Sequence, residues 1–154
     1  MSHKIKFDKV VVQAGGRVFK GYIESQQWEE IEGLLVQGSR RLPDILRLRS
    51  IEDETFSEIP LNGLKAVFFV KSFDGQGTRH DLKFFSNAPM VHGIWVQLQF
   101  KDGEIMEGIV LNGMQHLVEP GFFVHPTDPD GNNKLIYVLK SALSDFRVLG
   151  VRSL

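Results

Sequence analysis

The sequence predicts an all-β protein, two small five-stranded barrels in tandem, and three observations carry that expectation. Apolar residues alternate with polar ones along most of the chain, the period-2 mark of half-buried strands. One strand–turn–strand unit is written twice. KVVVQAGGRVFKGYI at 9–23 and VQLQFKDGEIMEGIV at 96–110 carry glycine at matching places, Gly16 with Gly103 and Gly21 with Gly108. Most connections are too short for a crossover helix, which implies antiparallel neighbours curled into small barrels.

In the first unit, VVVQAGGRVFKGYI reads as a hairpin and ILRLRS as a third strand. Leu46 and Leu48 point to one face there, Arg47 and Arg49 to the other. IPLNGLKAVFFV supplies the rest of the unit. The longer insertion, 24–43, holds SQQWEEIEGLLVQ, where Trp28, Ile31 and Leu35 keep helical spacing and Ser25 is a cap. An extended hairpin is the rival reading. Residues 72–92 are rich in Gly and Asn but include DLKFF, which suits a linker packed on the barrels.

In the second unit, Val96, Leu98 and Phe100 alternate with Gln97 and Gln99 before Lys101-Asp102-Gly103 turns the chain. Gly108 lies inside the returning strand and marks a sharp bend or a close backbone approach. GFFVHP is a third strand, LIYVL a fourth, KSAL a tight turn and DFRVLG a short last strand. IPLNGLKAVFFV also repeats VLKSALSDFRVL, with Ile59, Leu64, Val67 and Phe69 falling on Val138, Leu143, Phe146 and Val148. Two matched pieces in the same order predict internal duplication, with barrels at 1–71 and 93–154. Each barrel alone is marginal because it buries little surface, so duplication stabilises both.

The 154 residues are 42% hydrophobic and 24% charged, as in an ordinary folded chain, with a net charge of −1. That balance gives no global attraction to nucleic acid or anionic lipid, so any such contact must come from a local patch. The chain has no cysteine, which excludes disulfides, thiolate metal sites and cysteine nucleophiles. MSHKIKFDKV offers no apolar run of signal-peptide or membrane-span length. The expectation is a cytoplasmic protein without a membrane segment.

These residues resemble the Sm-like fold family, which includes the eukaryotic Sm proteins and the bacterial Sm-like RNA chaperone. VQLQFKDGEIMEGIV looks like its first motif and VLKSALSDF like its second, over most of 93–150 and more weakly over 9–70. The resemblance implies Sm-like or SH3-like barrels and RNA as a ligand class. The chaperone holds a uridine with an aromatic, a lysine and a histidine. Here Leu139 stands at the aromatic position and Ser141 at that of the histidine; Lys140 alone remains, and the first unit offers Pro60, Leu61 and Asn62. Base–aromatic stacking is worth roughly 1–3 kcal/mol, so neither copy carries that uridine site. The chain is also similar to a bacterial domain family of unknown activity with a G-F-F-x-x-P-x-D-x-x-x-N-N core, matched by Gly121 to Asn133.

Sm-like barrels assemble into rings when the last strand of one pairs with the fourth of the next. Used once within this chain, that junction leaves two free edges. Pro60 blunts the first, while Asp145 and Arg147 on a short strand discourage pairing at the second. The expected state is a monomer or at most a dimer.

Arg40, Arg41, Arg47 and Arg49 in SRRLPDILRLRS, with Lys140, are the candidate binding residues, suited to phosphate or carboxylate. The acidic residues nearby, Glu29 to Glu32 and Glu52 to Glu54, make a mixed charged surface the rival. HPTDPDGNN places Asp128, Asp130 and Asn132 in alternation but lacks the glycine and glutamate of a calcium loop. His116 and His125 lack a third zinc ligand, and Ser39 with His80-Asp81 lacks the context of a nucleophile elbow. The arginines also lack the companion motif of a PilZ cyclic-dinucleotide receptor. The expectation is therefore a non-enzymatic binding or adaptor module, without metal or cofactor, recognising another protein or itself. The alternative is RNA binding through the arginine patch.

Overall fold

A computed structural model describes residues 7–24, 42–73, 93–110, 119–126 and 131–152. Ten strands follow in chain order: β1 (Phe7–Ala14), β2 (Arg17–Glu24), β3 (Ile45–Ser50), β4 (Phe56–Pro60), β5 (Ala66–Val70), β6 (Gly93–Phe100), β7 (Ile105–Val110), β8 (Gly121–Pro126), β9 (Asn133–Leu139) and β10 (Leu143–Arg152). A 3-10 turn, Lys140–Ala142, joins the last two. The fold is all-β, and no helix among the described residues is long and apolar enough to cross a membrane. Trp28, Ile31 and the helix-or-hairpin question lie outside the described residues, as does DLKFF.

The strands form one antiparallel sheet in the order β10-β6-β7-β8-β9-β5-β1-β2-β3-β4, and it is not closed. Two tandem barrels joined at one strand junction were expected; the strands instead make a single open sheet that runs continuously from one half to the other. The reason lies at β5 and β9, where Ala66, Val67, Phe68 and Phe69 pair with Val138, Tyr137, Ile136 and Leu135. Each strand satisfies the backbone edge the other would leave open.

The first five strands lie in the order β5-β1-β2-β3-β4 and the last five in the order β10-β6-β7-β8-β9. Register follows the same pattern. Val12 pairs with Val67 as Leu98 does with Phe146, and Val10 with Phe69 as Val96 with Val148. Gly21 pairs with Ser50 as Gly108 does with Pro126, and Leu46 with Ile59 as Phe122 with Val138.

The two opening hairpins differ by one residue. In the first, Ala14 pairs with Arg17 across Gly15-Gly16, and Gly15 takes φ 58°. In the second, Lys101-Asp102-Gly103 is a three-residue loop closed by Phe100 N–H to Glu104 O at 2.8 Å, with Gly103 at φ 94°. Gly21 consequently faces Val10, whereas Gly108 faces Val96. Aligning the glycines would have placed Gln97 there, so the matching of Gly16 with Gly103 holds for the returning strand but not for the strand before the turn.

Two cores lie along the sheet. The first gathers Val10, Val12, Leu46, Leu48, Val67 and Phe69 and is completed by Phe123, Leu135, Tyr137 and Leu139 from β8 and β9. The second gathers Val96, Leu98, Phe100, Met106, Val110 and Val124 and is completed by Val11, Ala66, Phe68 and Val70 from β1 and β5. All five residues of β5 are buried, as are Leu135–Leu139 of β9, because each strand presents one face to either core. Lys65 joins the halves at the rim. Its ammonium lies 2.7 Å from Asp102, bonds Glu104, and sits 4.7 Å from the centre of the Phe100 ring. Burial alone would lower its pKa; the two carboxylates outweigh that and hold it above the ordinary lysine value.

Candidate functional site

β3 alternates as its sequence suggests, with Leu46 and Leu48 buried and Arg47 exposed beside half-buried Arg49. Because partners across an antiparallel ladder share a face, Lys9, Tyr22, Arg49 and Phe56 form one row over β1, β2, β3 and β4. The Arg49 guanidinium stands 4.8 Å from the Phe7 ring and 5.0 Å from the Tyr22 ring. Tyr22 is braced edge-on by Phe73, and Arg47 lies 4.3 Å over Phe56. The rings hold both guanidinium groups close, and Nε of Arg49 is buried with no hydrogen-bond partner among the described residues. Such a row can meet carboxylate or phosphate. Arginine occupies one face of each ring, and Phe56 stays 47% exposed.

Of the other candidate residues, Arg40 and Arg41 lie outside the described residues. Lys140 begins the turn after β9, which β5, β1 and β2 separate from β3 in the strand order, so the pairing does not gather it with Arg47 and Arg49. Leu139 is buried, so no stacking surface stands at that position. Asn132 has a structural role. It exchanges side-chain hydrogen bonds with the Ser72 backbone at 3.0 and 2.9 Å, tying the end of β5 to the start of β9. Asp128, Asp130, His116, His80, Asp81 and Ser39 lie outside the described residues.

Two further features escaped sequence reasoning. Since β2 meets β3 only at Gly21 and Tyr22, its first half splays away. The gap is a cleft of about 580 Å³, lined by Val18, Phe19, Leu48, Ile51 and Ile59 with Lys20 and Asp53 at its polar parts. Asp53 accepts from the Thr55 hydroxyl, which lowers its carboxyl pKa. On β7, Glu107 is buried with Oε1 accepting from Trp95 Nε1 at 2.5 Å and Oε2 without a hydrogen-bond partner among the described residues. Burial pushes its carboxyl pKa up, and the Trp95 bond only partly opposes that.

The last feature is β10. Expected to be short, it spans ten residues, and its outer edge has no strand partner among the described residues. Asp145 and Arg147, expected to discourage pairing there, bond each other at 2.7 Å. Phe146, Val148, Leu149 and Val151 remain 41%, 56%, 44% and 69% exposed. A contiguous apolar edge of this kind is uncommon on a chain that works alone.

A model of a protein family of unknown function matches residues 6–150. No curated protein and no solved structure matches the chain.

Proposed function

The chain belongs to DUF6982, a family of unknown function, and we propose that it is a non-enzymatic binding or adaptor module recognising another protein through β10. The observation that carries this reading is the exposed apolar run Phe146, Val148, Leu149 and Val151 beside a strand edge that has no partner among the described residues. Backbone groups on such an edge supply affinity, and alternate side chains supply selectivity. The matching strand order and registers of the halves support a duplicated, Sm-like origin, with β5–β9 as a junction that leaves β10 over. A photo-crosslinking residue at Val151, introduced in cells that make the protein, tests the reading. A protein adduct that disappears with Val148→Glu is expected. An adduct to nucleic acid, or none, overturns it.

The stacked arginines Arg47 and Arg49, with Lys9 in the row of Arg49, favour a second reading, RNA binding by an Sm-like surface. It ranks lower because arginine already occupies one face of the Phe7, Tyr22 and Phe56 rings and because buried Leu139 replaces the uridine-site aromatic. Anisotropy with labelled oligo-U at physiological salt is expected to show no tight binding. Sub-micromolar affinity that falls with salt and with Arg49→Ala would reverse the ranking.

A further inference from the structure

Building on the reading of β10 as a protein-binding edge, we infer that its occupant is an extended apolar strand of a different chain, paired antiparallel in the register that β9 adopts on β5. β5 and β10 hold the same place in their halves, since Val67 and Phe69 meet β1 as Phe146 and Val148 meet β6. Their surroundings differ completely. Val67 and Phe69 are 0% exposed, while Phe146 and Val148 are 41% and 56% exposed.

What covers β5 defines what β10 lacks. Leu135 pairs with Phe69 and Tyr137 with Val67, and both enter the core around them. Transposed to β10, the residue opposite Val148 corresponds to Leu135 and the one opposite Phe146 to Tyr137. The partner segment therefore carries large apolar side chains two positions apart, on a strand whose backbone continues the ladder. Bulges between Leu143 and Asp145 and between Val148 and Gly150 confine regular pairing on β10 to residues 145–148.

A second copy of this chain is a poor occupant. Of the two end strands it offers, β10 is interrupted by bulges between Leu143 and Asp145 and between Val148 and Gly150, and β4 places Phe56, Glu58 and Pro60 where β9 has Leu135, Tyr137 and Leu139. Glu58 would bring a carboxylate opposite Phe146, which burial disfavours. Pro60 has no N–H, whereas Leu139 N–H donates to Lys65 O at 3.1 Å. The cation lock is missing too, because Ser144 stands where the first half has Lys65. The covered junction and the open one thus require different partners.

The test uses a labelled peptide bearing the β9 sequence NKLIYVL with a charged solubilising tail, titrated against the full chain by anisotropy. Saturable binding is expected, weakened at least about tenfold by Val148→Glu, because a buried unpaired carboxylate is costly. Arg147→Ala, on the opposite face, should leave it unchanged, and a peptide with Glu at the Leu135 and Tyr137 positions should not bind. Circular dichroism checks that Val148→Glu, at an exposed position, keeps the fold. If NKLIYVL does not bind while the Val151 crosslinker still captures a protein, the strand chemistry is wrong and the protein-binding reading stands. If both fail, both fall. Self-association of the chain alone, abolished by Val148→Glu, would make a second copy the occupant and overturn the inference.

Discussion

Gly21 and Gly108 let the following strand cross at a distance no side chain permits. A Cβ on Gly108 would stand 2.4 Å from Val124 Cγ1 and 2.7 Å from the His125 carbonyl, and one on Gly21 would stand 2.4 Å from the Arg49 carbonyl. Those carbonyls belong to ladders and cannot retreat cheaply. Gly108→Val should therefore cost about 3 kcal/mol, and Asp102→Ala under about 1 kcal/mol, since its partner Lys65 keeps Glu104. Urea midpoints of the two variants check the order, and equal midpoints would contradict it. This role was legible in sequence because glycine inside an alternating strand has few other uses. The Arg49 stack was not, because Phe7, Tyr22 and Phe73 come from three separate segments. Glu107 provides the pH test. Its folded pKa is raised above 4.5, so the unfolded chain ionises first and stability falls as pH rises through and above that value. Glu107→Gln should gain stability relative to wild type between about pH 4 and about pH 7. Denaturation across that range measures it, and a constant difference would show that burial does not penalise the carboxylate.

At the scale of elements, strand identity followed from local alternation, while strand burial depended on neighbours distant in sequence. AVFFV and FRVLG both read as apolar strands, yet β5 is buried on both faces and β10 is open. Nothing in either segment encodes that β9 chooses β5; the choice lies in Leu135, Tyr137 and Leu139 on β9 and in Glu58 and Pro60 on β4. The turn offset between the opening hairpins was likewise hidden, because both units keep their glycines while the loops differ by a residue. The difference in burial is measurable. Phe69→Ala should cost roughly 3–5 kcal/mol, as a fully buried aromatic does. Val148→Ala, at the corresponding register position, should stay within about 0.5 kcal/mol. Comparable losses would mean that β10 is covered in the isolated protein.

For the whole molecule, the expectation of two barrels captured the all-β class but missed the sharing of cores. Each core borrows residues from two strands of the other half, so neither half buries its apolar surface alone. Calorimetry should accordingly show one transition, with calorimetric and van't Hoff enthalpies in agreement. Two resolved transitions would mean that the halves are independent domains. The central claim is that the sheet is complete at β9–β5 and unfilled at β10. Amide hydrogen exchange, read strand by strand with and without the NKLIYVL peptide, tests it most directly. The account predicts slow exchange throughout β5 and β9 in both samples, while the β10 amides that point away from β6 exchange fast alone and become protected by the peptide. Protection of those outward amides in the free monomer, or none on adding peptide at saturating concentration, would contradict it.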